Sequence, residues 1–287
     1  ISGRITLVLN LVFTLELIFS MKIPILFKIL FFFSFFFASC ASISGKQTQL
    51  FNGAQLEFIS HRGSNPTVVI ASGLDGHLEL WDKVISEVSK TKSVFAYNRP
   101  GIGNSVKTDK PRDAEQIVEE LRSYLKELKI RPPYVLVGHS SGGLYMQLFA
   151  RKYPSEVAGL VLVDSTHPLQ MKGAGAPENW SWWTKFYMSL FLSKTGEVEL
   201  AAINKSGEQV LSYPVKDLKF PIRILTATEP EVASTEYLRD LIDKRKNMIQ
   251  LYPIAEQYFI KGGHVIPLES PQAVVSAIQE VLLQQQK

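Results

Sequence analysis

Gly138-His139-Ser140-Ser141-Gly142 sets a serine between two glycines. It lies where an apolar, β-prone run (residues 134–137) gives way to Leu144, Leu148, Phe149 and Ala150 at helical spacing. This G-x-S-x-G pattern supports nucleophilic chemistry, because a serine on a tight strand-to-helix turn presents its hydroxyl to an incoming carbonyl. Such a turn holds the serine at unfavourable φ/ψ. The residues two away must then lack side chains for the backbone to fold so closely, which Gly138 and Gly142 satisfy. Of the five histidines (His61, His77, His139, His167 and His264), only His264 stands at the carboxyl end of a predicted strand, within Gly262-Gly263-His264 and late in the chain.

Positioning such groups requires a sheet. Residues 56–61, 66–71, 93–97, 159–163, 221–227 and 257–260 read as further strands, and several are continuous apolar runs of the kind covered on both faces. Between them, residues 114–129 carry Ile117, Leu121, Leu125 and Leu128 at helical spacing, and residues 236–250 form another helix. A closing helix starts with Ser270 as N-cap and Pro271 in first position, its apolar face built from Val274, Val275, Ile278, Val281 and Leu282. Alternating strand and helix predicts an α/β fold with a mostly parallel sheet and right-handed crossovers. The alternation breaks at residues 167–220, which are rich in aromatics: Trp180, Trp182, Trp183, Phe186, Tyr187 and Phe191. Gly101-Ile102-Gly103 lacks the third glycine and the lysine of a phosphate cradle and reads as a structural turn.

The serine motif, the preceding segment Tyr97-Asn98-Arg99-Pro100-Gly101-Ile102-Gly103-Asn104-Ser105 and the following Leu160-Val161-Leu162-Val163-Asp164-Ser165 together resemble the α/β-hydrolase superfamily. The resemblance covers roughly residues 50–287. It implies the α/β-hydrolase fold: a mostly parallel central sheet flanked by helices, with a small helical cap at residues 167–220 whose inner face walls the site. It implies Ser140 as nucleophile and His264 as base, with the backbone N–H groups of Leu74 and Ser141 as the oxyanion hole. The loop that supplies Leu74 usually begins His-Gly; here Ser72 replaces the histidine. The triad acid has two possible positions in such proteins. One follows the strand after the nucleophile helix, where Asp164 stands. The other follows the strand after the cap, where this chain offers Glu229 or Glu231 and no aspartate. Asp164 is preferred, because its place at a strand end is fixed and aspartate is the usual residue type. The implied activity is hydrolysis of a carboxylic ester, or a thioester or amide, on a small-molecule acyl substrate without metal or organic cofactor. A serine rather than an aspartate at position 140 argues against haloalkane dehalogenase and epoxide hydrolase chemistry. Two alternatives are an aminopeptidase of the proline iminopeptidase type, for which Glu178, Glu197 or Glu199 would anchor the substrate amine, and a surface-tethered binding protein without catalysis.

The chain has 287 residues, 46% hydrophobic and 20% charged, enough for one catalytic domain with a sizeable core. A net charge of +4, from 31 basic and 27 acidic residues with no basic block, gives no support to nucleic-acid binding. The single cysteine, Cys40, excludes an intramolecular disulfide, and no Cys/His cluster has zinc-ligand spacing. Residues 1–40 are expected to lie outside the fold. Residues 1–20 precede a candidate initiator, Met21, from which Lys22 and Lys28, an apolar run to Phe37 and Ala38-Ser39-Cys40 form a secretory signal pattern. The pattern resembles a bacterial lipoprotein signal, with Cys40 lipidated, although phenylalanine stands three residues before the cysteine where leucine is usual. This implies an exported cell-envelope lipoprotein held to the membrane; the alternative is a plain signal-anchor. Residues 41–50 read as a polar tether and 51–287 as the hydrolase domain. A competing reading of residues 180–191 has their aromatics entering the membrane interface.

Overall fold

Val157–Val163 is buried at every position, as expected of a strand covered on both faces, and the rest of the chain is arranged about it. The computed structural model describes residues 43–285 except 52, 216–217 and 230–235. The expected signal segment with Cys40, and Glu231, fall outside the described residues. The strands β1 (Gln47–Phe51), β2 (Ala54–His61), β3 (Ser64–Ala71), β4 (Lys92–Tyr97), β5 (Tyr134–His139), β6 (Val157–Val163), β7 (Ile222–Ala227) and β8 (Glu256–Ile260) form one sheet in the order β1-β2-β4-β3-β5-β6-β7-β8. β1 and β2 pair antiparallel, as do β2 and β4; β4-β3-β5-β6-β7-β8 are parallel throughout.

The helices are α1 (Asp82–Val88), α2 (Ala114–Glu127), α3 (Ser141–Lys152), α4 (Trp182–Phe191), α5 (Lys194–Ala201), α6 (Ile203–Ser212), α7 (Glu236–Lys246), α8 (Ile266–Glu269) and α9 (Pro271–Gln284). Side chains alternate across a strand, so β5 sends Tyr134 and Leu136 into one core with Leu121 of α2 and Leu148 of α3. Val135 and Val137 go into a second core with Val84 of α1 and Ile278 of α9. The sheet is therefore covered on both faces, and its parallel strands all end at the same edge.

Three local expectations need correcting. Residues 47–50 are not tether: with Phe51 they form β1, paired with β2 from Gln47 opposite Phe58 to Phe51 opposite Ala54, and Phe51 is buried against Phe58 and Tyr124. The polar run Gln47-Thr48-Gln49 hid this strand because its residues are exposed. α7 stops at Lys246 and gives way to a 3₁₀ turn, Asn247–Leu251. Ser270 precedes Pro271 as expected, but its side chain makes no capping hydrogen bond.

The insertion between β6 and β7 contains α4, α5 and α6. α6 docks on the body through Ser206, whose Oγ accepts from Ala114 N at 3.0 Å, and through Arg151, which donates to the carbonyls of Val210 and Tyr213. The aromatics of this insertion do not act alike. Trp180 is buried, 5.9 Å from the ring of Tyr237, whereas Trp182, Phe186 and Leu190 are exposed. Among the described residues no helix is long and apolar enough to cross a membrane.

Candidate active site

β5 ends at His139, and Ser140 turns the chain straight into α3 with φ 53° and ψ −125°. A non-glycine residue there carries backbone strain of about 1–3 kcal/mol, held in place by Ser140 N donating to Val163 O (3.1 Å) and by Thr166 N donating to Ser140 O (2.9 Å). The flanking glycines are needed for contact: a Cβ on Gly138 would lie 2.6 Å from Gly142 O, and one on Gly142 would lie 2.3 Å from Ala71 O. Ser140 is thereby fixed at the C-terminal edge of the sheet between β3 and β6.

β6 neighbours β5 on one side, and its continuation places Asp164 beside Ser140. Asp164 has φ 40° and is fully buried, with its N–H donated to Leu225 O (2.7 Å). Its Oδ1 accepts from Ala227 N (3.0 Å) and its Oδ2 from Arg245 Nη1 (2.8 Å) and from His264 Nδ1 (2.5 Å). Burial alone would raise the carboxyl pKa. The Arg245 charge, then His264 and the Ala227 amide, more than offset that and hold it below the usual range. His264 follows β8, and its Nε2 lies 3.1 Å from Ser140 Oγ. With Nδ1–H donated to Asp164, Nε2 is the free lone pair that accepts the Ser140 hydroxyl proton. Burial and then the Arg245 charge push the His264 pKa down, while Asp164 and Glu269 pull it up; the net direction is down.

His139, an isolated histidine in the sequence, contributes to this arrangement. Its Nε2 lies 2.8 Å from the His264 carbonyl oxygen and its ring centroid 4.6 Å from that of His264. Burial, and next the neighbouring imidazole, lower its pKa to about 3. It is therefore neutral and donates Nε2–H to that carbonyl, pinning the histidine loop.

The loop after β3 passes over the serine, so that a Cβ on Gly73 would lie 2.9 Å from Ser140 Cβ. Leu74 follows at once, and Ser141 opens α3, where first-turn N–H groups have no intrahelical acceptor. Arg99 holds the loop: Nη1 donates to Ser72 O (2.6 Å) and Nη2 to Gly73 O (2.7 Å), while Nε and Nη2 grip Glu199 of α5 at 2.8 and 2.7 Å. Asp75 reaches α5 as well, accepting from Ser193 N (2.6 Å) and Ser193 Oγ (2.5 Å). Trp81 Nε1 donates to Ser72 Oγ, so the serine in the usual histidine place is part of the loop's packing.

Of the sequence-derived groups, Ser140, His264 and Asp164 are thus brought into one hydrogen-bonded line, and Leu74 and Ser141 flank it. Glu229 is not part of it. It is exposed, and its backbone N–H donates to Gly262 O. Glu199 is buried in ion pairs with Arg99 and Arg112, Glu197 pairs with Lys194, and Glu178 is exposed. Sequence reasoning missed Arg99, named there only within the segment that carries the resemblance, and Arg245, which sits in an ordinary basic helix end. Nothing local marks either, since their partners lie far off in sequence, 26 to 100 residues away for Arg99 and 81 for Arg245.

The profile of the alpha/beta hydrolase fold family matches residues 66–263. The chain is similar to the uncharacterized protein YqjL of Bacillus subtilis, 32% identical over 120 residues, or 42% of this chain and 47% of that protein. It is also similar to the 1-acylglycerol-3-phosphate O-acyltransferase ABHD5 of Rattus norvegicus, 31% identical over 116 residues, 38% of this chain and 32% of the relative. The matches span less than half the length of these curated relatives. Among solved structures, a thermophilic esterase from Thermogutta terrifontis superposes with TM-score 0.61 at 20% identity, over 84% of this chain and 99% of the esterase. At that identity the likeness speaks to the fold alone.

Proposed function

The chain belongs to the α/β hydrolase fold family, and from that premise we propose that it is a serine hydrolase cleaving carboxylic esters through an acyl-enzyme. The observation that carries this reading is the line Ser140 Oγ to His264 Nε2 to Asp164, 3.1 and 2.5 Å, with the serine on a strained turn. His264 takes the Ser140 proton as Oγ attacks the carbonyl, and the Leu74 and Ser141 N–H groups hold the tetrahedral oxyanion. His264 then protonates the leaving alcohol, and water repeats the cycle on the acyl-enzyme. Asp164 stays ionised and stabilises the imidazolium formed in each half.

Thioester and amide carbonyls fit the same steps. A serine at position 140 speaks against chemistry that begins with carboxylate attack. The aminopeptidase reading loses one of its three amine anchors, because Glu199 is buried against two arginines.

Labelling by a fluorophosphonate probe separates an active serine from a silent fold, and a series of p-nitrophenyl esters from short to long acyl chains reports the preferred acyl group. The wild type is expected to label and to hydrolyse part of the series, and Ser140→Ala to do neither. A folded wild type that neither labels nor turns over any ester overturns the reading.

A further inference from the structure

Asp164 has one partner more than a triad acid needs. Its Oδ2 accepts from His264 Nδ1 and from Arg245 Nη1 at once, at 2.5 and 2.8 Å. The guanidinium is largely shielded, with 11% of its side chain exposed. The Arg245 backbone is tethered as well. Gln257 Nε2 of β8 donates to Arg245 O (3.3 Å) and to Thr226 Oγ1 of β7 (2.8 Å). The last turn of α7 is thus fastened to the two strands whose ends supply Ala227 N, the other Asp164 partner, and His264 itself.

We propose that Arg245 is a positioning residue of the triad, which fixes the Asp164 carboxylate for His264 and sets how far into acid His264 can still accept the Ser140 proton. This rests on the serine hydrolase reading above. The physical reason is that a guanidinium stays charged throughout the range in which an imidazole titrates. A fixed cation on the shared carboxylate oxygen opposes a second positive charge on His264 in the resting site. The groups facing His264 are Asp164, Arg245, the neutral His139 ring at 4.6 Å, and Glu269, whose Oε2 accepts from Gly263 N. Burial and Arg245 act downward, the two carboxylates upward, and the net direction is below the ordinary 6.5. The sign follows. Neutral His264 is the working form, so reactivity is expected to be present above its pKa and lost as pH falls through it, with the acid limb of the wild type displaced downward from the ordinary imidazole range.

The test reads the pH dependence of the fluorophosphonate labelling rate, which needs the activated serine but no knowledge of the substrate. The wild type, Arg245→Gln, Arg245→Met and Arg245→Lys are compared, each checked for folding by circular dichroism. Removing the charge is expected to move the acid limb up by roughly 0.5–1 pH unit, a loss of about 3- to 10-fold in rate on that limb. Arg245→Lys, which keeps the charge, is expected to stay near the wild-type limb. If the neutral variants label more slowly at every pH with the limb unmoved, or if neither folds, Arg245 is merely structural and the proposal fails. A folded wild type that does not label, or a Ser140→Ala variant that does, would instead remove the hydrolase reading on which the proposal stands.

Discussion

Ser140 at φ 53° and Asp164 at φ 40° are both non-glycine residues in left-handed backbone, at the ends of neighbouring strands. Strain of this kind persists only where the surroundings over-determine it. Here the Ser140 N to Val163 O and Asp164 N to Leu225 O bonds lock each residue to the next strand. The proposal of Asp164 as the acid rests on that adjacency. Asp164→Asn should lower kcat by up to about 10⁴ in folded protein, because the amide cannot hold His264 in the right tautomer. Glu229→Gln should leave kcat near parental, since that side chain is exposed. Steady-state ester kinetics on both variants check this, and a crippled Glu229→Gln beside a near-normal Asp164→Asn reverses the assignment. Ser140 and His264 were legible because spacing and strand-end position mark them locally. The acid is less firmly marked: Asp164 is preferred to Glu229 and Glu231, but its selection depends on which strand lies beside β5, and a single sequence does not state strand order.

At the scale of elements, apolar runs and helical spacing made the strands of the parallel core, and α2 and α9, readable in advance. β1 escaped because an antiparallel edge strand with exposed side chains carries little hydrophobic signal. The way α5 is fastened escaped for another reason: its partners are distant in sequence. Glu199, fully buried, joins Arg99 and Arg112, and Asp75 fits against α5 so closely that a Cβ on Gly196 would lie 2.3 Å from its Oδ2. Both contacts tie the insertion to the loop carrying Leu74. Breaking one side of a buried ion pair leaves an uncompensated charge, at a cost of about 3–5 kcal/mol. Glu199→Leu should therefore lower the urea midpoint strongly, whereas Lys194→Ala, which removes an exposed pair with Glu197, should leave it nearly unchanged, such a pair being worth less than about 1 kcal/mol. Equal midpoints for the two variants would show that the Arg99 and Glu199 pairing contributes nothing to the docking of α5.

Across the whole molecule, the three catalytic candidates hang on supports of unequal strength. β5 and β6 lie side by side inside the sheet, each buried along its whole length. His264 instead follows β8, the short last strand of the order, partly exposed along its length and paired with β7 alone. Local opening draws on the segments with least burial. Backbone amides of β8 are therefore expected to exchange hydrogen faster than those of β5 and β6. On heating, activity should fall ahead of the loss of far-UV circular dichroism; coincident curves would mean that β8 is held as firmly as the interior. On this ordering the molecule is expected to come apart in sequence. His264, the proposed base, would depart first while Ser140 and Asp164 remain seated, and activity lost in this way is expected to return on cooling without refolding of the chain.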